Sequence, residues 1–172
     1  MKDERPLRRL FFALWPSPVI RSCIVQRRMC IEGLSRKRVP DHNLHLTLLF
    51  LGDQPAERLD DIVDAAGHID MTSFDLTLDR FGWFARARVA WLGGPATTDG
   101  KALVAALTTR MDALELAFDR RPWAPHVTLF RKVAKRPQLP AVEPLDWSVS
   151  RFVLIESVSG KPYEPLASFD LE

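Results

Sequence analysis

The sequence predicts an α+β fold: one bilobal domain with two pseudo-symmetric lobes, antiparallel sheets around a central groove, and helices on the outer faces. The main observation is a unit of strand, helix and strand that occurs twice and ends each time on a His-x-Thr strand. Pro95 follows Pro16 by 79 residues, and the matching histidines, His45 and His126, are 81 apart. A length of 172 residues, of which 47% are hydrophobic, suits a single two-lobed domain over residues 1–172.

The first unit contains a strand, a helix, a basic loop and the first motif strand. Ser17 is a suitable N-cap with proline at the first helical position, and Gly33 should end the helix. The predicted apolar face of this helix consists of Ile20, Cys23, Ile24, Cys30 and Ile31. The predicted ranges are strand 7–14, helix 19–31, loop 35–43 and motif strand 43–52.

The second unit follows a helix over residues 59–66 and a predicted hairpin. The strands of this hairpin are 74–79 and 89–92, with 81–84 as a turn between them. A helix capped by Thr98 or Asp99 follows, with Leu103, Leu107, Met111 and Leu114 on one face. Prolines keep residues 121–125 from being helical and lead into the second motif strand, and the final strands are predicted at 147–156 and 166–171.

The two motifs place an imidazole beside a hydroxyl on the less apolar face of a hydrophobic strand. Because side chains alternate along a strand, His45 and Thr47 share one face, and so do His126 and Thr128. One such motif is usually a packing feature, but two in corresponding positions predict that the histidines face each other across the groove.

Charge and composition narrow the class of protein. The formal charge of +2 does not by itself predict nucleic-acid binding, but basic runs lie before His45 and after His126. Cys23 and Cys30 are about 10 Å apart along one helix, beyond disulfide reach, and are expected to be reduced. No apolar run has the length of a membrane span, and the start of the chain lacks the apolar core of a signal peptide. We therefore expect a soluble, cytoplasmic monomer that does not contact a membrane.

Two opposed histidines suit the opening of a cyclic phosphate. One imidazole can activate water while the other protonates the departing oxygen, because the histidine pKa lies near neutrality. Thr47 and Thr128 can donate to the phosphate oxygens, and this scheme requires no metal or other cofactor. Arg131 could add a bidentate phosphate contact, but strict alternation puts it on the face opposite His126 unless the strand bulges.

Three stretches, 9–14, 43–52 and 121–131, resemble the signatures of the two-histidine phosphoesterase superfamily. The closest match is its RNA 2',3'-cyclic phosphodiesterase branch, also called 2'-5' RNA ligase. The likeness extends from about Arg8 to the last strand and includes Glu156-Ser157 and Tyr163. Arg38 and His42 depart from the family pattern, which usually has tryptophan and an acidic residue there.

The resemblance implies an enzyme whose substrate is an RNA or nucleotide 2',3'-cyclic phosphate and whose product is a 2'-phosphomonoester. It implies that His45 donates a proton to the leaving 3' oxygen and that His126 activates water. Thr47, Thr128 and Arg131 would hold the phosphate. It also implies that the site lies in the central groove and uses no metal or nucleotide cofactor.

Four other interpretations remain open from the sequence. The residues also allow a metal site made of both histidines with Asp41 or Asp53, or a non-catalytic RNA-binding module. Within the enzyme class, an RNA ligase, or a phosphodiesterase for a small nucleotide such as ADP-ribose cyclic phosphate, would use the same residues. His42 could touch substrate, whereas His68 is expected at the surface. The candidates for stacking on a base are Phe11, Trp83, Phe84 and Trp123.

Overall fold

A computed structural model describes residues 6–172 of the protein, so the first five residues, in which no signal peptide was expected, lie outside the described part. The helices are α1 (Pro18–Arg28), α2 (Leu59–Gly67) and α3 (Thr98–Ala113). The strands are β1 (Leu7–Leu14), β2 (Lys37–Arg38), β3 (Leu46–Pro55), β4 (Phe74–Leu78), β5 (Arg80–Phe84), β6 (Val89–Gly93), β7 (His126–Arg131), β8 (Leu145–Val149), β9 (Arg151–Glu156) and β10 (Glu164–Asp170). Short 3₁₀ turns follow α1 and precede β3 and α2.

The strands form two antiparallel half-sheets that meet at the middle of the molecule. Their order is β10-β9-β1-β3-β7-β6-β5, with β2 beside the end of β7. Between β3 and β7 the register contains a single residue pair, Leu46 with Val127. The half-sheet β10-β9-β1-β3 is called lobe 1 below, and β7-β6-β5 with β2 is called lobe 2. A separate ribbon pairs β4 with β8.

The α+β class and the repeated strand–helix–strand unit are confirmed. In lobe 1 the unit is β1-α1-β3, and in lobe 2 it is β6-α3-β7, each with its two strands paired directly. Ser17 caps α1 as predicted, and its hydroxyl accepts from the Ile20 amide at 3.3 Å. Thr97, and not Thr98 or Asp99, caps α3, because its hydroxyl accepts from the Gly100 amide at 3.1 Å.

The predicted hairpin of strands 74–79 and 89–92 is wrong. Residues 81–84, expected to be a turn, lie in β5 and pair with β6, and the chain reverses over residues 85–88, where Arg88 has a positive φ of 56°. Strand β4 pairs instead with β8, about seventy residues away in sequence. The Phe-Gly-Trp-Phe stretch is extended because its aromatic side chains pack across a strand, which favours β structure over a turn.

The predicted strand over 147–156 is two strands that belong to different sheets. Strand β8 alternates buried and exposed residues, as expected for a ribbon with one face in the core. Strand β9 has four consecutive buried residues, Phe152 to Ile155, because both its faces are covered. Ser150 separates the two patterns.

The core lies between the sheet and the helices. Leu103, Leu107 and Met111 of α3 are completely buried, as predicted. In α1 the buried residues are Ile24 and Arg28, whereas Cys30, expected on the apolar face, is exposed because α1 tightens to a 3₁₀ turn from Met29. Across residues 6–172 we find no helix with the length and apolar character needed to cross a membrane.

Candidate active site

A β-bulge in each lobe determines which residues of the motif strands face the groove. On β3, Leu49 and Thr47 pair with consecutive residues of β1, and Leu48 between them has no partner there. On β7, Phe130 and Thr128 pair with consecutive residues of β6, and Leu129 between them has no partner there. In both strands the intervening residue and the next one along the chain are buried, so the alternation shifts by one residue.

The shift returns Arg131 to the groove face. Strict alternation would place it opposite His126, but Leu129 and Phe130 are both buried, and Arg131 therefore lies on the same side as His126 and Thr128. In lobe 1 the same shift brings Phe50 to the groove. The two strands thus offer His-x-Thr in common and differ at the next groove-facing position.

The ring of His45 is held by two hydrogen bonds. Its Nδ1 lies 2.7 Å from the carbonyl oxygen of Asn43, and its Nε2 lies 3.0 Å from the hydroxyl of Thr47. A carbonyl can only accept, so Nδ1 carries the proton. In the neutral ring Nε2 then accepts from the threonine hydroxyl.

Two arginines of α1 hold the segment that precedes His45. Arg28 is completely buried and donates to the carbonyl of Val39 at 2.9 Å and to the carboxylate of Asp41 at 2.5 Å. Arg21, two turns earlier in the same helix, donates to the carbonyls of Asp41 and Leu44 at 2.5 and 2.9 Å. A guanidinium has several fixed donors, so each arginine immobilises more than one point of the loop.

His126 has the same Nδ1 contact and more open surroundings. Its Nδ1 lies 2.7 Å from the carbonyl oxygen of Ala124, which again leaves Nε2 as the reactive nitrogen. Trp123, three residues before it, donates its indole N–H to the carbonyl of Thr47 at 3.0 Å. This bond joins the loop before one motif to the strand of the other.

Both histidines are neutral in the unliganded protein at neutral pH. Burial lowers the pKa of His45 from 6.5 to about 4, and the positive charges of Arg131 and Arg21, with that of His126 once it is protonated, act in the same direction. Burial also lowers the pKa of His126. The sequence-based expectation that one ring carries a proton near neutrality is therefore not met without ligand.

The groove beside the motifs has a volume of about 650 Å³. The predicted site residues on its wall are Thr47, Thr128, His126 and Arg131. His45 joins them through the contact of its Nε2 with Thr47. The five residues expected from the sequence are therefore brought together, with Phe50, Phe84 and Trp123 as aromatic parts of the same wall.

Aromatic rings flank both imidazoles. The ring of His45 lies 5.0 Å from Phe11 and 5.5 Å from Tyr163, measured between centroids. The ring of His126 lies 5.0 Å from Phe84 and 6.0 Å from Trp91. These apolar neighbours keep water from the rings, which is the physical cause of the lowered pKa values.

The four predicted stacking candidates occupy different environments. Phe11 is buried against His45, and Trp83 packs on the core while its indole donates to the carbonyl of Val133 at 3.1 Å. Phe84 and Trp123 line the groove. Only these two can therefore meet a base there without a rearrangement of the core.

Sequence reasoning missed the supporting role of Asn43. Its backbone carbonyl holds His45, and its side-chain oxygen accepts from the backbone amide of Tyr163 at 2.9 Å. Arg21 and Arg28 were missed as well. The one available signal was the charge of Arg28, which falls seven residues after Arg21 on the apolar face of a predicted helix.

The carboxylates considered for a metal site are engaged elsewhere. Asp41 binds Arg28, and Asp53 lies 3.7 Å from Arg9. Within residues 6–172 no group of three or more His, Cys, Asp or Glu side chains is arranged to hold a metal ion. His42 is exposed, and His68 is at the surface with its Nδ1 2.7 Å from the carbonyl of Asp64.

Comparison with known proteins gives consistent matches. A family model described as the 2'-5' RNA ligase superfamily matches residues 15–161. The RNA 2',3'-cyclic phosphodiesterase of Escherichia coli (strain K12) is 35% identical over 153 residues, which cover 87% of this chain and 86% of that protein. The protein of the same name from Thermus thermophilus is 32% identical over 181 residues, with 95% and 90% covered. The crystal structure of E. coli LigT complexed with 3'-AMP superposes with a TM-score of 0.87 at 31% identity and covers 96% of this chain and 99% of that one.

Proposed function

The chain belongs to the 2'-5' RNA ligase superfamily, and from that premise we propose that it is an RNA 2',3'-cyclic phosphodiesterase. The reaction opens the cyclic phosphate at an RNA 3' end and leaves a 2'-phosphomonoester. The observation that carries the proposal is the pair of imidazoles whose Nδ1 atoms are both held by carbonyls, so that both Nε2 atoms remain for proton transfer. Acid and base on two lobes suit in-line attack at phosphorus.

Each catalytic group has one task in this scheme. His126 Nε2 takes a proton from water as its oxygen bonds to phosphorus, and His45 Nε2 gives a proton to the 3' oxygen as the bond between phosphorus and that oxygen breaks. Thr47, Thr128 and Arg131 donate to the non-bridging oxygens, whose charge must be stabilised in the transition state. After the reaction His126 carries a proton and His45 has lost one, so exchange with solvent restores the starting state.

Substrate binding must raise the pKa of His45 so that the ring takes up from solvent the proton that it lacks in the unliganded protein. A bound phosphate brings a negative charge beside the ring and so raises the pKa of His45, which burial and the positive charges of Arg131 and Arg21 hold low in its absence. Thr47 changes partner at the same time. Its hydroxyl, which donates to His45 Nε2 in the unliganded protein, turns to a phosphate oxygen and leaves Nε2 free to be protonated.

The proposal is tested by hydrolysis of an oligoribonucleotide that ends in a 2',3'-cyclic phosphate. We expect a 2'-phosphate product and the same rate with EDTA present, because the side chains supply acid, base and charge stabilisation. A 3'-phosphate product would reverse the roles of the leaving oxygens and overturn the assignment. Loss of activity on chelation, restored by one divalent ion, would overturn the metal-independent mechanism.

We also propose that the enzyme acts as a cytoplasmic monomer. Cys23 and Cys30 are both free thiols, as expected in a reducing compartment. Sedimentation of the purified protein at micromolar concentration tests the monomer directly.

A further inference from the structure

We propose that a basic corner beside the groove docks the RNA strand that leads to the cyclic phosphate, so that polyribonucleotides are preferred over small cyclic nucleotides. The basic corner is defined by residues 36–38, 86–88 and 131–136. The inference rests on the proposed function and names the substrate class of the same site.

Strand pairing and hydrogen bonds to backbone carbonyls bring the three segments together. The carbonyl of Arg131 accepts from the hydroxyl of Ser35 at 2.5 Å, and Lys37 pairs with Arg131 in the sheet. On the other side the amide of Val133 donates to the carbonyl of Arg88 at 2.9 Å. Segments that are far apart in sequence therefore form one continuous surface at the end of β7.

This surface has an unusual charge. The three segments contain nine basic residues, Arg36, Lys37, Arg38, Arg86, Arg88, Arg131, Lys132, Lys135 and Arg136, and no acidic one. All nine are exposed. They leave 15 basic against 22 acidic residues in the rest of the sequence, a formal charge of −7 there. A chain with a net charge of only +2 thus concentrates its positive charge at one place.

The basic corner is continuous with the active site. Arg131 belongs to both, and Ala87, between the two arginines of segment 86–88, lines the same groove as Thr128. Because the other cations of the corner lie with Arg131 at the end of β7, an anion held by Arg131 has further cations beyond it, away from the histidines. One acidic side chain from outside the three segments, Glu32, lies 3.7 Å from Arg38.

A ribonucleotide chain suits this arrangement because it carries one negative charge per nucleotide. Each phosphate that a lysine or arginine neutralises releases counterions, so affinity rises with chain length and falls with salt. A small cyclic nucleotide occupies the groove and leaves the corner unused. Backbone contacts of this kind carry no sequence information, so different RNA sequences should bind alike.

The test compares two triple variants that change the net charge equally. One replaces three residues of the corner, Arg36→Gln, Lys37→Gln and Lys132→Gln. The matched control replaces three exposed cations that do not line the groove, Lys101→Gln, Arg110→Gln and Arg151→Gln. Each protein is assayed with a decaribonucleotide ending in a 2',3'-cyclic phosphate and with a 2',3'-cyclic mononucleotide, over a range of salt.

For the corner variant we expect the KM of the decamer to rise about tenfold and the slope of log KM against log salt to fall by about two, which corresponds to three phosphate contacts on a single strand. Its turnover of the mononucleotide should equal that of the wild type, and the control should resemble the wild type with both substrates. If the decamer KM and its salt slope are unchanged, or change equally in the control, the basic corner is not a docking surface.

A binding measurement separates this inference from the proposed function. The affinity for a decamer that ends in a 2'-phosphate needs no turnover, and it should fall in the corner variant and not in the control. Failure of the wild type to hydrolyse any cyclic phosphate would overturn the proposed function, whereas equal binding by both variants would overturn the docking surface alone. Equal affinity of the wild type for a decamer and a mononucleotide would also overturn it.

Discussion

The two His-x-Thr strands share one backbone frame and differ in what surrounds it. In both lobes the histidine Nδ1 donates to the carbonyl two residues earlier, and a bulge follows the threonine at the same place. Around His45 the loop is held by two arginines of α1, and the pKa of the ring is lowered mainly by burial and further by the positive charges of Arg131 and Arg21. Around His126 burial alone is the cause of the lower pKa.

The difference shows how a duplicated unit can supply two unlike groups. The common frame fixes the position of each Nε2, and the unmatched neighbours set its preference for a proton. After the bulge, lobe 1 presents Phe50 to the groove and lobe 2 presents Arg131. At this position lobe 2 therefore offers a cation where lobe 1 offers an aromatic ring, although the backbones of the two strands are nearly the same.

The largest effect should come from removing either histidine, because one lobe then has no imidazole. His45→Ala and His126→Ala should each lower kcat by about 10²–10⁴, because each supplies one proton transfer. The double variant should lose less than the product of the two effects if they act as a unit. The pH dependence of kcat/KM should lose its basic limb in His45→Ala and its acidic limb in His126→Ala. Wild-type turnover by either single variant would make the motif a binding feature.

The next largest effect should come from Arg131→Gln. This change leaves lobe 2 without a charge at the position where lobe 1 has Phe50. Loss of one donor to the transition state should lower kcat by about 10²–10³. The variant should also move the basic limb of kcat/KM to higher pH, since the positive charge of Arg131 lowers the pKa of His45. Arg110→Gln on α3 serves as the control. If kcat falls but the basic limb of kcat/KM stays at the same pH, Arg131 binds phosphate and does not affect the pKa of His45.

A smaller effect is expected from loosening the loop of lobe 1 alone. Arg21→Met removes the donors to Asp41 and Leu44 and should lower kcat by about tenfold, because the ring of His45 is then less well oriented. It should also raise the pKa of His45. The matched control is Arg27→Met on the same helix, which loses donors to the carbonyls of Glu143 and Pro144, away from the motifs. Equal losses in both variants would show a general effect on α1.

The smallest effect concerns stability against pH. The pKa of His45 is about 4 in the folded protein and 6.5 when unperturbed, so the unfolded chain takes up this proton first as the pH falls. The contribution of His45 to stability is complete above about pH 6.5 and is lost toward about pH 4, about 1 kcal/mol at pH 5 for a half-buried ring. Urea unfolding of wild type and His45→Gln at about pH 7 and 5 measures it. A difference between the two proteins that does not change with pH would contradict the lowered pKa.

The sequence predicts the repeated unit well because its signals are local. Apolar periodicity marked α2, α3 and both motif strands, and Ser17 marked the start of α1. Pairing could not be predicted in the same way. Strand β4 joins β8 through contacts between residues about seventy apart, and an aromatic stretch with a central glycine, Phe81–Phe84, does not reveal whether it turns or extends.

The candidate site likewise contains residues that local sequence signals predict and residues that depend on long-range packing. His45, Thr47, His126 and Thr128 could be predicted as candidate site residues because the motif occurs twice in one chain. The position of Arg131 depended on a bulge, and a bulge adds a residue without a sequence signal that distinguishes it from regular alternation. Arg21 and Arg28 could not be found, because their bonds to carbonyls depend on where the loop passes the helix.

The strand order has a consequence for how the chain folds during synthesis. Lobe 2 contains only strands between residues 37 and 131, whereas β1 of lobe 1 pairs with β9, so that Leu10 meets Glu156. The ion pair of Arg8 with Glu156, at 2.7 Å, links the same distant parts. The lobe that begins first in the sequence can therefore be completed only after β9 and β10, residues 151–170, have left the ribosome. Such long-range pairing slows folding, and a chain stopped after the second motif would contain both histidines but leave the first of them in an unfinished sheet.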